Sequence, residues 1–345
     1  MINVGIAGAS GYTGIELVKL ISNHPQATLC AVTSNSYKGK ALTDLFPSMR
    51  GFESLICEDL DIPALARKID VIFLALPHKI SMQYVPALLE QNIKVIDLSA
   101  DYRFTDAAAY ESAYQVHTSK HLLNESVYGL CEIYRDQIKT SSLIGNPGCY
   151  PTSILLPLLP LLKEGLIRPA GIISDSKSGV SGAGRSLSLS SHFCEANESF
   201  SAYKVGNHRH TPEINEILSL QSQQPVTITF VPHLLPLTRG MMSTIYAQAT
   251  DIATETMIRD TYDAYYGDEP FVRLLDKNLY PAISHVRGTN CCDIGIHFDE
   301  TTRQIILVSA IDNLLKGAAG QAVQNMNLLF GLDDATGLNW VQGFL

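Results

Sequence analysis

Ile2-Asn3-Val4-Gly5-Ile6-Ala7 is apolar enough to form a buried strand, and it runs straight into Gly8-Ala9-Ser10-Gly11-Tyr12-Thr13-Gly14. Apolar residues then recur at helical spacing through Ile15-Glu16-Leu17-Val18-Lys19-Leu20-Ile21. No other stretch limits the fold so strongly, because strand, glycine turn and helix in that order frame a dinucleotide site. Small residues let the main chain approach a pyrophosphate, and the helix N-terminus offers N–H groups and a positive dipole end. The Gly-x-x-Gly-x-x-Gly spacing would also suit a plain tight turn; its place directly after an N-terminal strand gives it weight. Gly8, Ser10, Gly11, Tyr12, Thr13 and Gly14 are therefore the expected cofactor contacts.

The following segments repeat the alternation of strand and helix. After a strand at Thr28-Leu29-Cys30-Ala31-Val32-Thr33, an NAD site would place an acid for the ribose hydroxyl. Ser34-Asn35-Ser36-Tyr37-Lys38-Gly39-Lys40 has no acid and two lysines. Ser34 would tolerate a 2′-phosphate and Lys38 would attract one, which favours NADP(H); a solvated loop is the alternative. Asp70 to Leu76 is an unbroken apolar run, as in a parallel strand buried on both faces. Leu76 and Pro77 end it on the ligand side, where they would border the nicotinamide. A helix over 81–91 and a strand over 94–98 complete a doubly wound α/β pattern. Arg103, in Ser99-Ala100-Asp101-Tyr102-Arg103-Phe104, is either a bidentate anion partner or a surface salt bridge. The stretch 105–142 reads as polar, irregular connecting structure.

At 345 residues the chain suggests two domains. A net charge of −9 argues against a nucleic-acid partner, which needs clustered Lys and Arg. The longest apolar run, Ile154 to Leu162, is too short to span a bilayer and carries two prolines. No basic leader precedes the first strand, so a cytoplasmic location is expected. The seven cysteines include no Cys-x-x-Cys pair, which points to reduced thiols and to no structural metal.

One of those thiols stands out. Gly145-Asn146-Pro147-Gly148-Cys149-Tyr150-Pro151-Thr152 lies between a short β-like run and a long apolar segment. Cys149 at a helix start would have its thiolate favoured by the dipole, whereas a buried structural cysteine is the plainer reading. Pro151 fits the first turn, and Pro157 and Pro160 should kink or break the helix. Beyond Gly165 the composition shifts. Gly171 to Lys177 is strand-like, and Ser178-Gly179-Val180-Ser181-Gly182-Ala183-Gly184-Arg185 could offer amides and a guanidinium to an anion or be a flexible loop. In Asn207-His208-Arg209-His210-Thr211-Pro212-Glu213, Thr211 reads as a helix cap with Pro212 at the first position. Both histidines then sit ahead of a fixed helix end, as a general acid/base requires. Alternating runs at 226–231, 242–249, 293–298 and 304–309 predict an α+β second domain with a mostly antiparallel sheet. The pair Cys291-Cys292 reads as packing, and a last helix is expected over 313–330.

Together the residues resemble the N-acetyl-gamma-glutamyl-phosphate reductase family. The resemblance is carried by Gly8–Gly14, Asp97–Arg103, Gly145–Thr152, His208–Glu213 and Asp312–Ala322, in that order along the chain. Ser153 departs from the small Gly or Ala expected after the threonine. The resemblance implies an N-terminal Rossmann-type domain over 1–148 and 313–345, and a catalytic and oligomerisation domain over 149–312. It implies that Cys149 attacks a small-molecule acyl phosphate, that phosphate leaves a thioester, and that NADPH reduces this to the semialdehyde. His210 is the expected proton donor, with His208 the runner-up or a substrate contact. Arg103, Asn146, Ser181 and Arg185 are expected to hold the substrate, and Ser178, Gly179 and Asn313 to join the cofactor contacts. A homo-oligomer, dimer or tetramer, is expected. Aspartate-semialdehyde dehydrogenase and a reductase of carrier-linked aminoadipyl phosphate are the alternatives.

Overall fold

The computed structural model describes residues 1–51 and 55–339. They form two units, Met1–Pro147 with Ala318–Asn339, and Gly148–Gly317. Residues 340–345, assigned above to the first domain, lie outside the described residues.

The first unit is built on strands β1 (Ile2–Ala7), β2 (Ala27–Thr33), β3 (Cys57–Glu58), β4 (Val71–Leu74), β5 (Lys94–Asp97), β6 (Val127–Tyr128) and β7 (Leu143–Gly145). Their order is β3-β2-β1-β4-β5-β7-β6, with parallel pairings throughout. The chain winds outward from β1 to β3 and returns to β4 on the other side of β1. The switch point therefore falls between β1 and β4, where ligands bind in such sheets. Val71, Ile72, Phe73 and Leu74 are all fully buried, each stabilising the sheet by about 1.5–3 kcal/mol, which is why β4 reads as an unbroken apolar run.

Two local expectations need correction here. The predicted helix over 81–91 is a short 3-10 turn, Ser81–Gln83, followed by a helix Val85–Glu90. Pro86 is tolerated only in a first turn, so the helix restarts just before it. The stretch 105–142 is not irregular: it holds helices Ala107–Ala113 and Cys131–Thr140. Asp106 caps the first by accepting from Ala108 N–H. These helices bury little, Tyr110 in one and Cys131 and Ile138 in the other, so few large apolar residues mark them in the sequence.

The second unit contains β8 (Ile172–Gly179), β9 (Ser201–Ala202), β10 (Ile228–Leu235), β11 (Met241–Gln248), β12 (Val272–Leu274), β13 (Cys292–Asp299) and β14 (Gln304–Ile311). The order is β12-β13-β14-β11-β8-β10-β9. The pairings β12·β13 and β8·β10 are parallel and the others antiparallel.

Helix Cys149–Lys163 packs on this sheet and is neither broken nor ended by Pro157 and Pro160. Each proline frees the carbonyl four residues before it, and each freed carbonyl has a hydroxyl donor. Ser309 Oγ donates to Ser153 O at 2.5 Å, and Tyr266 Oη donates to Leu156 O at 2.7 Å. Ser153 itself shares a hydrogen bond with Ser243 (2.8 Å), which is also bonded to Ser176 (2.7 Å). The departure noted at Ser153 is thus a buried hydroxyl with partners. The predicted last helix begins as a π-helical segment, Leu315–Ala319, and becomes α-helical over Gly320–Leu329.

Candidate active site

Cys149 is the first residue of its helix and is half-buried, with Gly148 as an extended N-cap (φ −69°, ψ 154°) and no side-chain cap. The thiol therefore lies at the positive end of the helix, where a thiolate is favoured. A Cβ added at Gly317 would lie 2.7 Å from the Cys149 Cβ, so the small residue there is required by the cysteine. Gly148 N–H donates to Glu213 Oε1 at 2.9 Å, and Glu213 is fully buried. In the sequence Glu213 carries no assigned role; its place in a first turn, where an acid suits the dipole, is the one local signal it gives.

The neighbouring helix is His210–Ser222, so it starts before Thr211, and Thr211 is not its cap. The Thr211 hydroxyl is buried with no hydrogen-bond partner among the described residues. His208 closes the turn instead. Its carbonyl accepts from Thr211 N–H (2.9 Å) and its Nδ1 accepts from His210 N–H (3.1 Å). With Nδ1 accepting, the neutral ring carries its proton on Nε2. Burial, aided by the Arg209 and Lys204 charges, pushes His208 down to about 3. In this arrangement His208 is neutral near pH 7.

The two imidazoles are 4.8 Å apart, ring to ring, and Tyr150 meets both edge-on at 5.6 and 6.0 Å. Tyr203 lies 5.6 Å from His208 and donates to the Tyr150 hydroxyl at 3.2 Å. Burial raises both phenols, Tyr203 to about 12, and the Cys149 charge adds to each. Both tyrosines thus share the electrostatic field of the thiol, and neither was singled out from sequence, where an isolated Tyr carries no chemical signal.

Other expected residues of the second unit form a corner at the end of β8. Ser178 hydrogen-bonds the Tyr150 hydroxyl. A Cβ at Gly179 would come within 2.8 Å of Leu237 O and Arg239 N. Asn313 is buried, donating to Ser181 Oγ (3.0 Å) and accepting from Gly240 N–H (2.7 Å). Arg185 lies outside this corner on an exposed stretch.

In the first unit Gly8 adopts a left-handed φ of +83°, and a Cβ there would sit 2.3 Å from Ala75 O. One at Gly14 would sit 2.2 Å from Gly8 O. At Gly11 the nearest atom would be Gly8 O at an ordinary 3.5 Å. The protein's own packing does not demand glycine there, whereas close approach of a ligand to the main chain would; the turn fits a dinucleotide. Ser10 Oγ and Ser34 Oγ are 2.9 Å apart. Tyr12 and Thr13 open an uncapped helix, Tyr12–Ser22, with Tyr12 exposed. Leu76 is half-buried beside Gly8, and Pro77 is exposed. Lys38 is exposed and ion-paired with Asp59, so the acid missing from 34–40 is supplied from beyond β3.

Arg103 is buried, which excludes the surface salt bridge. Its Nε donates to Asn146 O and its Nη2 to Leu98 O, both at 2.7 Å. Asn146 is also internal, donating from Nδ2 to Ala318 O (3.2 Å) and accepting from Asn325 Nδ2 (3.0 Å). Asp97 and Asp101 of the same unit are also buried. Burial, and then the Asp101 charge, push Asp97 up to about 7.

Residues 3–141 match the family of the semialdehyde dehydrogenase NAD binding domain, and residues 149–313 that of the semialdehyde dehydrogenase dimerisation domain. The chain is similar to N-acetyl-gamma-glutamyl-phosphate reductase of Desulforapulum autotrophicum, with 64% identity over the whole of both chains. The protein of that name from Desulfotalea psychrophila is 53% identical over the same full span. Among solved structures, aspartate semialdehyde dehydrogenase II of Vibrio cholerae shares the fold, with a TM-score of 0.74 at 15% identity over 96% of this chain and 98% of that one. No helix among the described residues is long and apolar enough to cross a membrane.

Proposed function

This chain belongs to the semialdehyde dehydrogenases and, among them, to the N-acetyl-gamma-glutamyl-phosphate reductases of arginine biosynthesis; on that premise we propose that Cys149 carries the acyl group through the reaction. The observation that carries this reading is Cys149 at an uncapped helix N-terminus, followed by Tyr150, whose ring packs edge-on against a histidine pair of which His208 is held neutral. The Cys149 thiolate attacks the γ-carbonyl carbon of N-acetyl-gamma-glutamyl phosphate; the bond to the phosphate oxygen breaks and a thioester forms. The Gly8–Gly14 turn would hold reduced NADP, whose chemistry would be to supply the hydride that takes the thioester carbon to the aldehyde level. His210 provides the proton that turns the developing oxyanion into the hydroxyl of a thiohemiacetal; as the C–S bond breaks, that hydroxyl returns its proton to His210, and Cys149 leaves as a thiolate stabilised by the same helix end that activated it.

A kinetic comparison tests the substrate: kcat/KM for N-acetyl-gamma-glutamyl phosphate should exceed that for aspartyl phosphate by more than about 100-fold. Equal values would sink this reading in favour of the aspartate enzyme, which the structural likeness at 15% identity supports only as a fold. The preference for NADP rests on Ser34 and Lys38. Lys38→Ala should raise KM for NADPH by about 3- to 10-fold and leave KM for NADH alone. The ion pair with Asp59 makes this a sharp test, since a lysine engaged only with that acid would give no change. We further propose a cytoplasmic dimer or tetramer, to be distinguished by sedimentation.

A further inference from the structure

In the parallel sheet of the first unit, β1, β2 and β3 lie side by side, so the segments that follow them emerge at one edge. The Gly8–Gly14 turn follows β1, the loop 34–40 follows β2, and Asp59 is the first residue beyond β3. Hydrogen bonds fix that loop in place. Ser34 N–H donates to Glu58 O at 3.2 Å and Gly39 N–H to Cys57 O at 2.8 Å, so the loop is held to β3 near both of its ends. The Ser10 and Ser34 hydroxyls, 2.9 Å apart, tie it to the glycine turn. Within the loop Lys40 lies over the Tyr37 ring, whereas Lys38 is paired with the Asp59 carboxylate. The lysine expected to meet a 2′-phosphate is therefore already matched by an acid. Both side chains are more than half exposed, and an ion pair in water holds its partners weakly, so the lysine can be shared. A phosphate arriving at Lys38 would bring a charge of about −1.5 to −2 beside that carboxylate. The ribose hydroxyl of NADH is uncharged and meets no such opposition.

We propose that Asp59 is a specificity-determining residue for the cofactor: it competes with the 2′-phosphate for Lys38, and so holds the preference for NADPH over NADH below what Lys38 alone would give. The inference rests on the reading of Lys38 as the partner of that phosphate, and extends it to an acid supplied from the next strand.

Binding measurements test it without turnover: NADPH and NADH by nicotinamide fluorescence, and adenosine 2′,5′-bisphosphate against AMP by calorimetry. Asp59→Asn removes the charge and keeps the shape. It should tighten NADPH and the bisphosphate by about 5-fold or more at low ionic strength, and leave NADH and AMP within about 2-fold. In about 1 M salt, where charges are screened beyond about 3 Å, the gain should fall below about 2-fold. Glu58→Gln removes an equal charge one residue away, from a side chain paired with Lys68, and should change each Kd by less than about 2-fold. Unchanged NADPH affinity in Asp59→Asn, an equal shift for NADH, or an equal gain from Glu58→Gln overturns the proposal. Lys38→Ala separates its failure from failure of the premise. If Lys38→Ala weakens NADPH while Asp59→Asn changes nothing, only the role of Asp59 is lost. If Lys38→Ala changes nothing, the lysine does not meet the phosphate and both readings fall.

Discussion

At Cys149 three local influences converge: the positive helix end, the close wall of Gly317, and an N-cap held by Glu213. The first could be anticipated from Gly148-Cys149-Tyr150-Pro151, because a helix start is a local event. The roles of the two histidines could not, since identical rings differ here only by surroundings. His208 spends Nδ1 on the His210 N–H and is kept neutral by burial. His210→Asn should accordingly lower kcat by about 10²- to 10⁴-fold with little change in KM. His208→Asn retains an oxygen able to cap the His210 N–H and should cost less than about 10-fold. Steady-state assays of both variants decide, and the reverse order would move the proton donor to His208. Thr211 shows the limit of reasoning from residue type: a threonine before proline suggested a cap, but the helix begins one residue earlier, at His210, with Arg209 at its N-cap.

Among the elements, helix Cys149–Lys163 is the most instructive. Its prolines predicted a kink or break, and local rules identify which carbonyls they free. The hydroxyls that take those carbonyls, Ser309 and Tyr266, lie 156 and 110 residues further along the chain, beyond any local pattern. Tyr266→Phe should leave Leu156 O buried without its donor and lower stability by about 1–3 kcal/mol. Tyr265→Phe, which removes an exposed bond to Glu164, should change stability by less than about 0.5 kcal/mol. Urea denaturation measures both, and equal midpoints for the two variants would contradict the account. The helices within 105–142 were missed for the opposite reason: each is short and buries only one or two side chains, so few large apolar residues mark it.

For the molecule as a whole, the consequence of buried titratable groups is a stability that depends on pH from both sides. Asp97 in the first unit is raised from 3.8 to about 7, so the folded state holds a proton that the unfolded chain has released. Its contribution is fully present below about pH 4 and is lost as pH rises through about 7. His208 in the second unit is lowered from 6.5 to about 3; its contribution is present above about 6.5 and is lost as pH falls through about 3. Asp97→Asn should therefore lose less thermal stability than the wild type between about pH 5.5 and about pH 8, measured by calorimetry. Parallel slopes for the two proteins would show that Asp97 does not titrate in that range.

The division between what sequence and tertiary structure decide follows the same physics. The glycine turn after β1, the buried run of β4, the alternating strands of the second sheet and the helix start at Cys149 were all legible in the sequence. Each depends on neighbours a few residues away, through steric limits, apolar periodicity and dipole ends. Only the folded chain decided that Arg103 is buried against main-chain carbonyls, that Asp59 meets Lys38, that His208 is neutral and that Glu213 reaches Gly148. These are pairings and burials of polar groups, whose energies depend on which distant groups the fold brings within hydrogen-bond reach and on how much water it removes.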